Sequence, residues 1–205
     1  MKNILVVATL IFTCMSCAPK LSFTWTKADY QGAKYKKIAV FSAGKNLEIS
    51  STFQDYMVQF LAAEGFTAVS GMSIINPIQM KDLNADDVKR ILLKEGVDAV
   101  ISTVVIDSQK STNYVQGSAS YGYYGGFGGY YGYRYGPAYY QPGYYQESTS
   151  FLLENHFYEL SADNSSKEDA LLWASQSQIT DPSNATTKAY ARVLIKGLID
   201  DNIIK

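Results

Sequence analysis

The chain is poor in the side chains that most enzymes use. Its 205 residues include one histidine, His156, and two cysteines, Cys14 and Cys17. Beyond that start, a Ser-His-Asp hydrolase or a His- and Cys-built metal centre has almost nothing to draw on. Lys and Arg total 18 against 19 acids, a formal net charge of -1, so no cationic surplus exists to neutralise phosphates and a nucleic-acid partner is excluded as an expectation. No Gly-Lys-Ser/Thr phosphate loop occurs, and the glycines between positions 125 and 129 have no lysine beside them. Asp86 and Asp87 stand where acids favour the positive end of a helix dipole, and Asp98 is read as a cap or turn residue at the start of a strand. His156 sits mid-strand with only Glu154 on its side at the period-two spacing. The expectation is a non-catalytic protein with no cofactor and no metal; an enzyme with an unrecognised site is the lesser alternative.

What is there begins with a targeting signal. Residues 1–16 open on Lys2, run apolar from Ile4 to Met15 and close on Ser16 before Cys17. That run is shorter than the roughly 20 residues a membrane span needs, and its positive start and small closing residue are those of a secretory signal. A small residue directly before a cysteine resembles the lipobox of bacterial lipoproteins, although Cys14 and Met15 fill places where that pattern has other residues. By this resemblance the signal is cut before Cys17, which takes a diacylglycerol on its thiol; Cys14, or secretion without lipid, is the alternative. Two or three acyl chains give durable anchoring where one would be reversible. Ala18 rather than aspartate follows, which resembles outer-membrane sorting, with the periplasmic face favoured over the cell surface.

The mature chain predicts a single α/β domain over residues 35–205, preceded by a lipidated start and tether at 17–34. Within that tether Leu21, Phe23 and Trp25 alternate with Ser22, Thr24 and Thr26, the pattern of an edge strand. Ile38–Phe41 is a continuous apolar run, a strand covered on both faces. Ile49, Phe53, Met57, Phe60 and Leu61 trace a helix face ending at Gly65, and Phe66–Ser70 reads as a short strand. Asn84 is placed as the N-cap of a second helix that stops at Gly96, and the β-branched run Ala99–Ile106 belongs inside a sheet. Phe151–Leu160 and Leu171–Ile179 read as a hairpin, with Asp163, Asn164 and Ser165 as its turn. Pro182 and Ser183 introduce a last helix with Tyr190, Val193, Leu194 and Leu198 on its buried side. The expected architecture is a mixed sheet of five or six strands with three packed helices, in the order β-α-β-α-β, long loop, β-β-α.

KKIAVF at Lys36–Phe41, AAEGFTAV at Ala62–Val69, GVDAVI at Gly96–Ile101 and LLWASQSQITDP at Leu171–Pro182 follow one another in an order that resembles a family of uncharacterised bacterial envelope lipoproteins. Their α/β domain is similar to the amino-terminal domain of the Tol-system periplasmic protein and to the curli-secretion lipoprotein family. The resemblance implies an envelope protein of this fold and not an enzyme. The secretion family inserts membrane-spanning hairpins, but no alternating apolar pair of strands long enough for that stands out here.

Twelve of the 17 tyrosines and nine of the 15 glycines fall between Ser111 and Gln146, with Arg134 as the one charge. This low-complexity insertion, at about 109–148, predicts a loop rather than regular structure, because glycine at this density is costly to order and Pro137 and Pro142 interrupt ladders. Tyr123, Tyr124, Phe127, Tyr130, Tyr131, Tyr133, Arg134, Tyr135, Tyr139 and Tyr140 are its candidate contact residues. Tyrosine offers an apolar ring and a hydroxyl at low rotamer cost, which suits an envelope protein or a glycan. Self-association through the loop and plain disordered decoration are the competing readings.

Overall fold

The computed structural model describes residues 19–44, 46–120, 139–160 and 170–205, with backbone only at 118–120 and 139–141. The expected mixed α/β sheet with three long helices is what it contains. In chain order come β1 (Lys20–Thr26), β2 (Ile38–Ala43), α1 (Leu47–Ala63), β3 (Ala68–Ser70), the single turn α2 (Gly71–Ile74) and a 3-10 turn at Gln79–Lys81. They are followed by α3 (Ala85–Lys94), β4 (Ala99–Val115), β5 (Ser118–Ser120), β6 (Tyr139–Gln141), β7 (Tyr144–Glu159), β8 (Leu171–Thr180) and α4 (Asn184–Asp200). Six strands form the main sheet in the order β1-β8-β7-β4-β2-β3, and β5 and β6 pair separately. β3, β2 and β4 run parallel, with Ile38 beside both Ala68 and Ala99, whereas β7, β8 and β1 pair antiparallel.

Local chemistry sets the helix ends. The Asn46 side chain accepts from the amides of Glu48 and Ile49, and that of Asn84 from Asp87, while Ser183 and Thr186 form a reciprocal capping box. All three long helices close with the same pair of backbone bonds. Gly65 and Gly96 take positive φ just past α1 and α3, and the next amides, of Phe66 and Val97, reach back to Leu61 and Leu92. Asn202 does the same after α4, with the Ile203 amide bonded to Leu198. Each closure seats an apolar residue, Phe66, Val97 or Ile203, against the helix it ends.

α1 and α4 pack side by side on one face of the sheet, over a core that includes Phe53, Met57, Phe157, Trp173, Leu194 and Leu198. Trp173 is fully buried and donates its indole N–H to Asp201 at 2.7 Å. On α4 the burial differs slightly from expectation, because Ala191 and Ile195 are buried while Val193 is only half-buried. α3 covers the opposite face, where Leu92 packs with Ala39, Val97 and Val100. Asp98 accepts from the amides of Lys36 and Lys37 at 2.8 and 3.0 Å, the cap role expected of it.

Two expectations need correction. β4 and β7 do not stop where the Tyr/Gly-rich insertion was expected to begin and end: they run on to Val115 and start at Tyr144. Their 17 and 16 residues exceed the roughly 9–11 that a bilayer-crossing strand needs, so length is not what separates them from membrane hairpins. Asp107–Asn113 and Gln146–Ser150 are polar on both faces, unlike the apolar-out alternation of a barrel. Val, Ser and Thr carry the pleat past Asp107 before any glycine intervenes. Secondly, β1 is an edge strand, but Leu21, Phe23 and Trp25 do not share a face. The register shifts between Leu21, opposite Ser177, and Phe23, opposite Gln176. This bulge leaves Leu21 on the helix side against Gly197 and turns Phe23 and Trp25 to the other side.

By its internal contacts the chain falls into two compact units, a body of Met1–Ser108 with Ser150–Lys205, and Gln109–Thr149.

Candidate functional site

Within the body, a cleft of about 550 Å³ lies at the carboxyl end of β2, beside the middle of β4. Ser42, Ala43 and Gly44 enter it from β2 and its following turn, and Thr103, Val105 and Ser108 from β4. The cap and first turns of α1 supply Asn46, Ile49, Ser50 and Phe53; Pro182 enters just before α4, and Thr187 and Tyr190 from its first turns. Phe151, Leu153 and Ile179 close it from β7 and β8. Open α/β sheets bind ligands at this end, outside the strand termini, and the volume is that of ordinary small-molecule pockets. None of these lining residues carries a charge; Lys45, between Gly44 and Asn46, lies outside the described residues.

A buried polar network lies behind two of these lining residues, Thr103 and Tyr190. Asn155 is fully buried at the middle of β7, and its Oδ1 accepts from the Thr103 hydroxyl and the Tyr190 hydroxyl, both at 2.8 Å. Its Nδ2 donates to Ser175 Oγ at 3.1 Å. Since the tyrosine proton goes to Asn155, Ser177 Oγ must donate to the Tyr190 oxygen, 2.6 Å away. Burial pushes the Tyr190 phenol up to about 12, against the smaller opposing effects of Ser177 and Asn155. The whole network is therefore neutral at physiological pH. Among the described residues no buried side-chain polar atom lacks a partner, so this network helps to specify the core instead of straining it.

The sequence-predicted site residues lie elsewhere. Cys17 falls outside the described residues, as do Tyr123, Tyr124, Phe127, Tyr130, Tyr131, Tyr133, Arg134 and Tyr135. Tyr139 and Tyr140 belong to β6, paired through the backbone with Ser120 and Ala119 of β5. His156 is half-buried, with Nδ1 at 2.9 Å from the Tyr158 hydroxyl and Nε2 at 3.7 Å from Glu154. Among the described residues no three His, Cys, Asp or Glu side chains are grouped to hold a metal ion. The cleft was not anticipated. Its one trace in the sequence is the presence of Asn155, Ser175 and Ser177 at inward positions otherwise filled by Leu153, Phe157, Trp173 and Ile179.

No protein-family model and no curated protein matches the chain. Among solved structures, a variant PelC dodecamer from Paraburkholderia phytofirmans is similar at a TM-score of 0.42 and 13% identity, over 84% of this chain and 94% of that one. Lipoprotein GNA1162 from Neisseria meningitidis gives 0.40 and 13%, over 80% and 96%. A PDZ domain protein from Parabacteroides distasonis gives 0.38 and 12%, over 98% of this chain and 40% of that one. These are distant likenesses, and the functional reading rests on this chain's own residues.

Proposed function

We propose that this chain is a lipid-anchored, non-catalytic binding module of the bacterial cell envelope, attached through Cys17 to the periplasmic face of an outer membrane. The observation that carries the binding role is the cleft: an apolar wall on which the neutral hydroxyls of Thr103 and Tyr190 open, at the carboxyl end of β2. The hydroxyl protons of Thr103 and Tyr190 are engaged in the network, and the Tyr190 phenol is held protonated by its burial. The ligand that fits is a small molecule with an apolar body and a few hydrogen-bonding groups. A second reading places contacts in the Tyr/Gly-rich unit, with an envelope protein, a glycan or another copy as partner. It is favoured by the exposure of Tyr114, Tyr144 and Tyr145, two of whose rings, Tyr114 and Tyr145, lie 5.1 Å apart.

The cleft is tested with the chain from residue 18 onward, titrated against the neutral apolar fluorophore N-phenyl-1-naphthylamine. Saturable binding to the wild type, lost in Ala43→Trp with the circular dichroism spectrum unchanged, is the expected result. Equal binding by both proteins removes the cleft as the site. Fractionation of Cys17→Ala tests the anchor separately; a variant that stays with the membrane overturns it.

A further inference from the structure

The start of the folded body lies very close to the anchoring residue, and this carries a consequence for what the body touches. β1 begins at Lys20, three residues after Cys17. Three extended residues span at most about 11 Å, so an acylated Cys17 holds the first strand at the headgroup layer with no long tether between. The side chains that β1 presents there follow from its pairing, because directly opposed residues of an antiparallel ladder share a face. Lys20 is opposite Gln178, Phe23 opposite Gln176 and Trp25 opposite Ala174; across β8 these rows continue to Leu152, Glu154 and His156. All of these lie on the face away from α1 and α4.

Phe23 is 57% and Trp25 42% exposed. The bulge that turns them outward is pinned by the Ser22 hydroxyl, bonded to the Gln176 carbonyl at 3.0 Å. Were Ser22 an ordinary ladder residue, strict alternation would keep them on Leu21's side, towards the helices. Charge adds a second pointer. Residues 19–37 include Lys20, Lys27, Lys34, Lys36 and Lys37 against Asp29 alone, in a chain whose net charge is -1. Exposed Trp and Phe beside lysines are what interfacial proteins place at an anionic lipid–water boundary.

We propose that the outward face of β1, through Lys20, Phe23 and Trp25, rests in the headgroup region of the leaflet that holds the Cys17 acyl chains. The surface fixes the orientation of the body on the membrane and adds to the anchor's hold. The proposal rests on the lipid-anchor reading above.

The chain supplies its own reporter. Of its two tryptophans, Trp173 is fully buried and Trp25 is exposed. The full acylated protein is reconstituted in phosphatidylethanolamine–phosphatidylglycerol vesicles with and without brominated acyl chains. Emission quenched by the brominated lipid in the wild type, with loss of the quenchable component in Trp25→Phe, is expected. Reduced quenching in Phe23→Ser, with unchanged flotation, would locate the contact on the same face. A protein that floats with the vesicles but whose tryptophan emission ignores bromine overturns the surface while leaving the anchor standing. Blue-shifted but unquenched Trp25 with a doubled mass means that a second copy covers the strand, and also overturns it. An intact mass without acyl groups removes the anchor, and this surface with it.

Discussion

Asn155 is a neutral amide where the sheet would otherwise hold an apolar side chain, and three strands and a helix meet through it. Removing one partner of such a network leaves the rest unpaired in the core, at about 1–3 kcal/mol. Tyr190 adds a pH dependence whose sign is fixed. Its folded pKa, about 12, is above the ordinary 10.0, so the folded state holds the phenol proton more tightly. That contribution is complete below about pH 10 and is lost as pH rises towards 12, amounting to about 3 kcal/mol for a shift of this size. Burial also raises Tyr30, Tyr35 and Tyr158, which act in the same direction. Denaturant titrations at pH 8 and pH 11 should show wild-type stability falling with alkalinity. Tyr190→Phe should start lower at pH 8 and fall less; an unaltered pH slope would show that the phenol titrates normally.

At the scale of elements, the bulge in β1 decides which apolar side chains face the helices. Leu21→Ala removes the side chain that the bulge leaves against Gly197, with a loss of about 1–2 kcal/mol from its partial burial. A lowered denaturation midpoint with Trp25 still open to acrylamide is expected; an unchanged midpoint would show that this contact adds nothing at the sheet edge. Elements with local signals were legible in the sequence: Asn84 as a cap, Pro182 and Ser183 as the start of the last helix, Gly65 and Gly96 as stops, Ile38–Phe41 as a covered strand. The bulge was not, because strict alternation of Leu21, Phe23 and Trp25 hides the insertion, and only the pairing with Ser177 and Gln176 reveals it. The outer parts of β4 and β7 were missed because their pleat continues in polar residues, without the apolar face that marks a strand. The cleft depends on residues from β2, β4, β7, β8 and two helices, and no local pattern brings these together.

For the molecule as a whole, the body holds the cleft and both helix layers without using residues 109–149. The Thr103–Asn155 and Ser111–Ser148 bonds show β4 and β7 running side by side in opposite directions, which brings Ser108 close to Ser150. Joining those two residues through Asn-Gly should therefore give a shortened chain that unfolds cooperatively and retains the N-phenyl-1-naphthylamine site. A shortened chain that fails to fold would make the Tyr/Gly-rich unit part of the body's stability.

The pairing of β1 with β8 also sets an order of events. The Ser22–Gln176 bond joins residues 154 positions apart, so the strand that emerges first from the ribosome has to wait for almost the last before its ladder can form. Such distant closure is slow compared with local pairing. Until β8 arrives, β1 has no neighbour in the sheet, and this edge of the fold waits for nearly the whole chain.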